Sequence, residues 1–386
     1  MHWTHDHHLA YCTNVHPAES WADTLKVLQT EVLAVRDRLR EAGKCEGPFA
    51  IGLRLSARAA EELLAGEKLA EFSQWLAESE TYVFTINGFP YGDFHGTRVK
   101  EKVYQPDWTT EERLTYTNRL FEIIATLAPV ESGGSVSTLP GSFKEFGADE
   151  SLIFENLEAC ARTIESLAIE SGKDLHLGLE PEPLGHFENT EETLAFFERF
   201  LSAAENPELI RSRIGLNYDT CHFAIEFDDC RESLEAFRAA GIRISKVHLS
   251  SALQFDPNDQ SSLESLQSFD EPTYLHQVIV KGEPGLRRAK DLPDFFHNLD
   301  SGQWQISTTD LARCHFHVPL YSEAAAPLGT TQQHVNDVLA YREEFPDFCN
   351  HYEIETYTWG VLPDEIQTDL TSQIVREFEW VLGFEK

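Results

Sequence analysis

Short apolar runs alternate with helical periodicity along almost the whole chain. Residues 8–14 read as a first strand. Trp21, Leu25, Leu28, Val32, Val35 and Leu39 then recur at three- and four-residue spacing, which predicts a helix over roughly 20–41. The same reasoning predicts strands at 49–55, 81–87, 134–139, 174–180, 213–219, 242–250 and 350–356. Helical patterns fall at 57–79, 110–127, 149–171, 190–204, 230–240, 331–343 and 364–382. Residues 251–311 break the rhythm. They are polar and carry Pro257, Pro272, Pro284 and Pro293, so they read as an inserted excursion within one domain spanning 1–386. Eight strand–helix units imply an α/β fold closed as a (β/α)8 TIM barrel, with the insertion between strands seven and eight. An open doubly wound sheet is the competitor, but no GxGxxG turn follows the first strand.

Charge narrows the function classes. With 65 acidic and 31 basic side chains, the formal charge is −34, which argues against nucleic acid or anionic lipid as a partner. The start, Met1 to His8, lacks the basic, apolar and small-residue order of a secretory leader, and no run is long enough to span a bilayer. Seven cysteines, odd in number and without a CxxC pair, fit a reduced compartment. The expectation is a cytoplasmic protein that does not insert into a membrane and whose partner is a small molecule. His2, His5, His7 and His8 are expected to form a solvated terminus.

Catalytic groups of a barrel sit at the C-terminal ends of its strands, and alternation along each strand says which side chains face the axis. In the fifth strand, His176, Gly178 and Glu180 share the inward parity; in the sixth, Gly215, Asn217 and Asp219. Ile244, Lys246, His248 and Ser250 share a face in the seventh, and His351, Glu353 and Glu355 in the eighth. Four successive strands thus end in a carboxylate or imidazole aimed at one axis. Unpaired, such groups would repel one another and desolvate at high cost; a divalent cation relieves both, and Mn, Co, Zn and Fe all accept a Glu/Asp/His/Glu set. The competing reading is a set of strand-end residues paired with local basic groups. His222, three residues past Asp219, suits a substrate donor, a further metal ligand or a helix cap. His315 and His317 share a face if extended, as outer ligands, a second metal site or a hydrogen-bonded core pair. Lys246 could bind a substrate oxygen or neutralise a carboxylate. No site for an organic cofactor is apparent.

At these residues a resemblance enters. The string Tyr218-Asp219-Thr220-Cys221-His222-Phe223-Ala224-Ile225-Glu226 resembles the Asp-x-x-His strand end of the xylose isomerase-like TIM-barrel superfamily, and of its ketose 3-epimerases in particular. More narrowly, the chain resembles the metabolite-traffic protein EboE family. The strings that carry this are Tyr11-Cys12-Thr13-Asn14-Val15-His16-Pro17, Thr85-Ile86-Asn87-Gly88-Phe89-Pro90-Tyr91-Gly92 and Glu353-Ile354-Glu355-Thr356-Tyr357-Thr358-Trp359. The superfamily implies a divalent metal held by Glu180, Asp219, His248 and Glu355. It implies that Glu180 and Glu355 flank the substrate, one removing a proton beside a carbonyl and the other returning it, while the metal polarises that oxygen. His222 matches a substrate-contacting histidine. The endonuclease IV branch is also similar, with His315-Phe316-His317 standing where that branch has an Asp-x-His pair. Its histidines at strands two and three have no counterpart here, where Arg54 and Asn87 stand, so one metal, or two, is implied.

Three functions follow as expectations. The leading one is a metal-dependent isomerase or epimerase acting on a small hydroxy-carbonyl compound, either sugar-like or a secondary-metabolite precursor. The alternatives are a metal-dependent hydrolase of a small phosphoester, or a non-catalytic metabolite carrier whose membrane partner would be another protein. The loop 87–108, with Phe89, Tyr91, Phe94, His95, Tyr104 and Trp108, reads either as an aromatic lid or as a packed surface loop.

Overall fold

A computed structural model describes residues 1–92, 100–270, 274–283, 285–322, 327–356 and 369–384. Eight parallel strands form its centre: β1 (His8–Tyr11), β2 (Phe49–Arg54), β3 (Thr81–Asn87), β4 (Gly134–Thr138), β5 (Leu175–Leu179), β6 (Ile214–Asp219), β7 (Ile244–Leu249) and, after an excursion, β13 (His351–Ile354). Their order is β1-β13-β7-β6-β5-β4-β3-β2, and a parallel bridge from Cys12 to Gly52 joins the two ends. The sheet is therefore closed, and the chain is a (β/α)8 barrel. Nearly every strand residue is buried, as expected of strands covered by helices outside and by one another inside.

The helices follow the predicted spans with local amendments. Ser20 caps the first through a reciprocal bond with Asp23, and a π-helical turn at Leu28–Val32 interrupts the run that ends at Glu41. The span 57–79 is two helices, Ala57–Leu64 and Lys68–Glu78, parted by Gly66 at φ +69°. The closing helix is Leu370–Gly383; residues 364–368 of its predicted span lie outside the described residues.

One expectation fails in part here, and the excursion differs in extent. The N-terminal tract is only partly solvated: His2 is exposed, but His7 and His8 are buried, Met1 and Trp3 with them, and the Trp3 ring lies 3.6 Å from the Arg342 guanidinium and against Tyr352. Two apolar residues, Met1 and Trp3, tuck the end of the chain under the barrel, and His7 and His8 follow. The excursion, expected as an insertion over 251–311, carries regular structure of its own. Strands β8 (Ser251–Phe255), β9 (Val278–Gly282), β10 (Gly285–Ala289), β11 (Leu311–Val318) and β12 (Gly329–Thr330) form an antiparallel sheet in the order β10-β9-β11-β8-β12. It runs past 311 to Thr330 and has its own core around Phe255, Val280, Phe295 and Phe316. Pro293 misled because it lies in the first turn of the helix Leu292–Asp300, where a missing N–H costs nothing.

Candidate active site

Glu180 directly follows β5, Asp219 ends β6, His248 is the penultimate residue of β7 and Glu355 directly follows β13. Parallel register sets Asp219 opposite His248 and His248 opposite Glu353. One donor atom from each of Glu180, Asp219, His248 and Glu355 lies within 4.8 Å of the other three, and all four residues are buried. The imidazole is the hub: His248 Nδ1 is 3.1 Å from Glu180 Oε1, 3.0 Å from Glu355 Oε2 and 3.7 Å from Asp219 Oδ2.

The surroundings fix each donor. Asp219 caps the short helix Thr220–Ile225, its Oδ1 accepting from the N–H groups of Cys221 (2.7 Å) and His222 (3.1 Å) and from the Ser250 hydroxyl (2.6 Å). Its Oδ2 is buried without a hydrogen-bond partner among the described residues. Glu355 Oε1 accepts from the amides of Asn14 (2.7 Å) and Asn87 (3.1 Å), which leaves Oε2 toward His248. His248 Nε2–H donates to Glu353 Oε2 at 2.9 Å, and Lys246 Nζ donates to the same oxygen at 2.6 Å. That bond fixes the ring so that Nδ1 faces the three carboxylates. Glu353 fits only because residue 52 is glycine, since a Cβ there would stand 1.9 Å from Glu353 Oε1.

The electrostatics follow from this packing. Burial works against an ionised Asp219, yet the rings of His222, His317 and His248 and the Ser250 hydroxyl hold it below the usual carboxylate range. Burial likewise opposes a charged His248, but Glu355 and Glu180 raise it well above an ordinary histidine. Glu353 would be raised by burial; Lys246 and His248 instead bring it down to about 2. Glu182 goes the other way, raised well above normal by burial and by Glu180, Asp219 and Glu355. Three carboxylates, an imidazole and an orphaned carboxylate oxygen suit a divalent cation, without selecting among Mn, Co, Zn and Fe.

A second group adjoins the first. His222 lies on the Thr220–Ile225 helix, and the excursion strand β11 brings His315 and His317 over the barrel mouth. His222 Nδ1–H donates to Pro181 O at 2.8 Å, its Nε2 is 3.3 Å from His317 Nε2, and its ring lies 5.0 Å from that of His315. His315 Nε2 is buried without a hydrogen-bond partner among the described residues. Burial chiefly lowers His222 to about 4, and lowers His315 well below the ordinary range. Asp219, His222 and His317, and separately Glu182, His222 and His315, can each bring three donor atoms within 4.8 Å of one another.

The cleft above is lined by Glu180, Glu182, Glu355, His222, His315 and His317, but not by Lys246, whose ammonium is fully buried against Glu353. Of the two readings of Lys246, the geometry favours neutralising a carboxylate. Of the proposed lid, Phe89 and Tyr104 line the cleft. Tyr91 packs on Tyr116, Trp108 is buried with Nε1–H directed to Thr138, and Phe94 and His95 lie outside the described residues. Sequence reasoning missed Asn14 and Glu182. Both obey the strand-end rule, Asn14 in the turn after β1 and Glu182 two residues beyond Glu180. The three strings of the EboE resemblance supply Asn14, Asn87, Glu353 and Glu355 to this site.

No family model matches the chain, and no curated protein does. Among solved structures it is similar to an IolI protein with a bound zinc atom, at 13% identity and a TM-score of 0.48, covering 97% of this chain and 96% of that one. It is also similar to a D-tagatose 3-epimerase-like protein (14% identity, TM-score 0.47, 97% and 98% covered). A D-psicose 3-epimerase matches at 12% identity and a TM-score of 0.46, with 98% and 97% covered. The barrel assignment stands on strand order and closure, and the EboE resemblance rests on its strings alone.

Proposed function

We propose that the chain is a divalent-metal-dependent isomerase or epimerase that moves a proton beside the carbonyl of a small hydroxy-carbonyl compound. Glu180, Asp219, His248 and Glu355 would hold the cation. One observation carries the reading: of these four, the two glutamates line the cleft, whereas Asp219 and His248 do not. That division separates two groups able to reach a substrate carbon from two that serve as ligands alone. A bound cation would supply polarisation of the substrate carbonyl. Glu180 and Glu355 take and return the proton, Glu355 oriented by Asn14 and Asn87. His222 and Glu182 offer hydrogen bonds to substrate hydroxyls.

Calorimetric titration with Mn²⁺, Co²⁺ and Zn²⁺ tests the cation site. Solvent-deuterium exchange into a hydroxy-ketone tests the chemistry, and Glu180→Gln and Glu355→Gln should each abolish exchange with the fold retained. Full exchange in either variant refutes its acid–base role. Tight ligand binding with no exchange in the metal-loaded wild type would favour a carrier, as the EboE resemblance implies. One observation favours a hydrolytic second reading: the unpartnered His315 Nε2 beside His222 and His317 offers a place for a second cation. Hydrolysis of bis(p-nitrophenyl) phosphate, lost in His315→Ala, would support it.

A further inference from the structure

We infer that the substrate is a neutral hydroxy-carbonyl compound bearing a planar apolar group, aryl in character, and not a sugar phosphate; this rests on the reaction proposed above and names its substrate class. The cleft is divided by chemistry. Its carboxylates and imidazoles come from the barrel strand ends, from the turns that follow them and from β11. The more apolar part of the lining comes from loops, with Phe89, Val103 and Tyr104 after β3, Pro183 after β5, and Tyr274 and Leu275 from the excursion. The Phe89 and Tyr104 rings lie 5.6 Å apart at 50°. Tyr104 gives its hydroxyl to Pro183 O at 2.7 Å, so it shows the cleft only its ring. A polyhydroxylated chain laid on Phe89, Val103, the Tyr104 ring and Leu275 would lose water without gaining partners there, whereas a flat apolar group would gain contact with the rings.

The charged side chains also disfavour a phosphate. The one cation among the described lining residues is Lys100, and its ammonium is bonded to the Asp291 carboxylate. Arg54, at the end of β2, is tied to Glu19 at 2.8 Å and does not line the cleft. Beyond a cation held by Glu180 and Glu355, a phosphate would find no unpaired cationic side chain among the described lining residues to receive it.

The test compares three α-hydroxy ketones with the Mn²⁺-loaded protein: 2-hydroxyacetophenone, dihydroxyacetone and dihydroxyacetone phosphate. Affinity is read by calorimetry and α-proton exchange by NMR in D2O. The aryl ketone should bind at least about tenfold more tightly than dihydroxyacetone, from the apolar area removed from water, and the phosphate no more tightly. Phe89→Ser and, independently, Leu275→Asn should each cut the aryl preference at least about threefold. Equal affinity for all three, a preference for the phosphate, or a preference that survives both substitutions overturns the inference. Failure to take up Mn²⁺ would refute the metal-dependent reaction instead, and the same three affinities on metal-free protein would then decide the character of the lining.

Discussion

Replacing Glu353 with Gln tests the support under the candidate cation site. Glu353 is fully buried, and one of its oxygens receives both Lys246 Nζ at 2.6 Å and His248 Nε2 at 2.9 Å. The carboxamide keeps the shape but leaves the Lys246 ammonium buried without a countercharge, a change that costs about 3–5 kcal/mol. A second route gives a similar size. Holding this carboxyl at about 2 rather than 4.5 corresponds to about 3 kcal/mol of stability. Because the folded value is depressed, that stability is present above pH 4.5 and is lost as the pH falls toward 2. Urea unfolding at pH 7 should therefore show a loss of about 3–5 kcal/mol, and competition titration a roughly 10- to 100-fold weaker Mn²⁺ affinity, since His248 loses the group that orients it. Adding Lys246→Met should recover much of the stability, by removing the stranded charge, but not the affinity. Wild-type unfolding together with wild-type Mn²⁺ affinity in Glu353→Gln would refute the reasoning.

Other outcomes follow from the same coordinates. Gly52→Ala would set a Cβ 1.9 Å from Glu353 Oε1 and 2.5 Å from the Tyr11 carbonyl; denaturant unfolding should register a loss of about 1–3 kcal/mol, and Mn²⁺ titration a weaker site. Glu377 is raised by burial to about 8 and accepts bonds from the Thr356 hydroxyl (2.6 Å) and the Leu320 N–H (3.1 Å). The folded chain therefore holds a proton that the unfolded chain releases, and this group lowers stability as the pH rises from 4.5 to 8. Glu377→Gln mimics the protonated form, so its stability relative to wild type should climb across that window by an amount on the order of 5 kcal/mol, read from urea midpoints at matched pH. Asn14→Ala removes the shorter amide bond to Glu355; α-proton exchange should fall roughly 10- to 150-fold while the melting temperature barely moves, and an unchanged rate would discount the orienting role.

Periodicity alone determined the eight barrel strands and placed Glu180, Asp219, His248 and Glu355 on one axis, because the two-residue repeat of a strand and the closure of a barrel leave little freedom in where its last inward residue points. His222 was legible for the same reason, three residues beyond a strand end. What the sequence could not assign was partnership. Whether Lys246 served a substrate or a carboxylate depended on which side chain of the neighbouring strand came within reach of its ammonium, and that was Glu353. For His315 and His317 the sequence offered only a shared face if extended; the antiparallel pairing of β11 with β8 and β9 carries them over the mouth. The buried N-terminus and the ordered excursion escaped local reading too, since both are held by apolar contacts with residues far away in the chain. Tertiary structure alone decided these points, because side-chain periodicity is a local property of the backbone whereas burial and pairing depend on which distant surfaces meet.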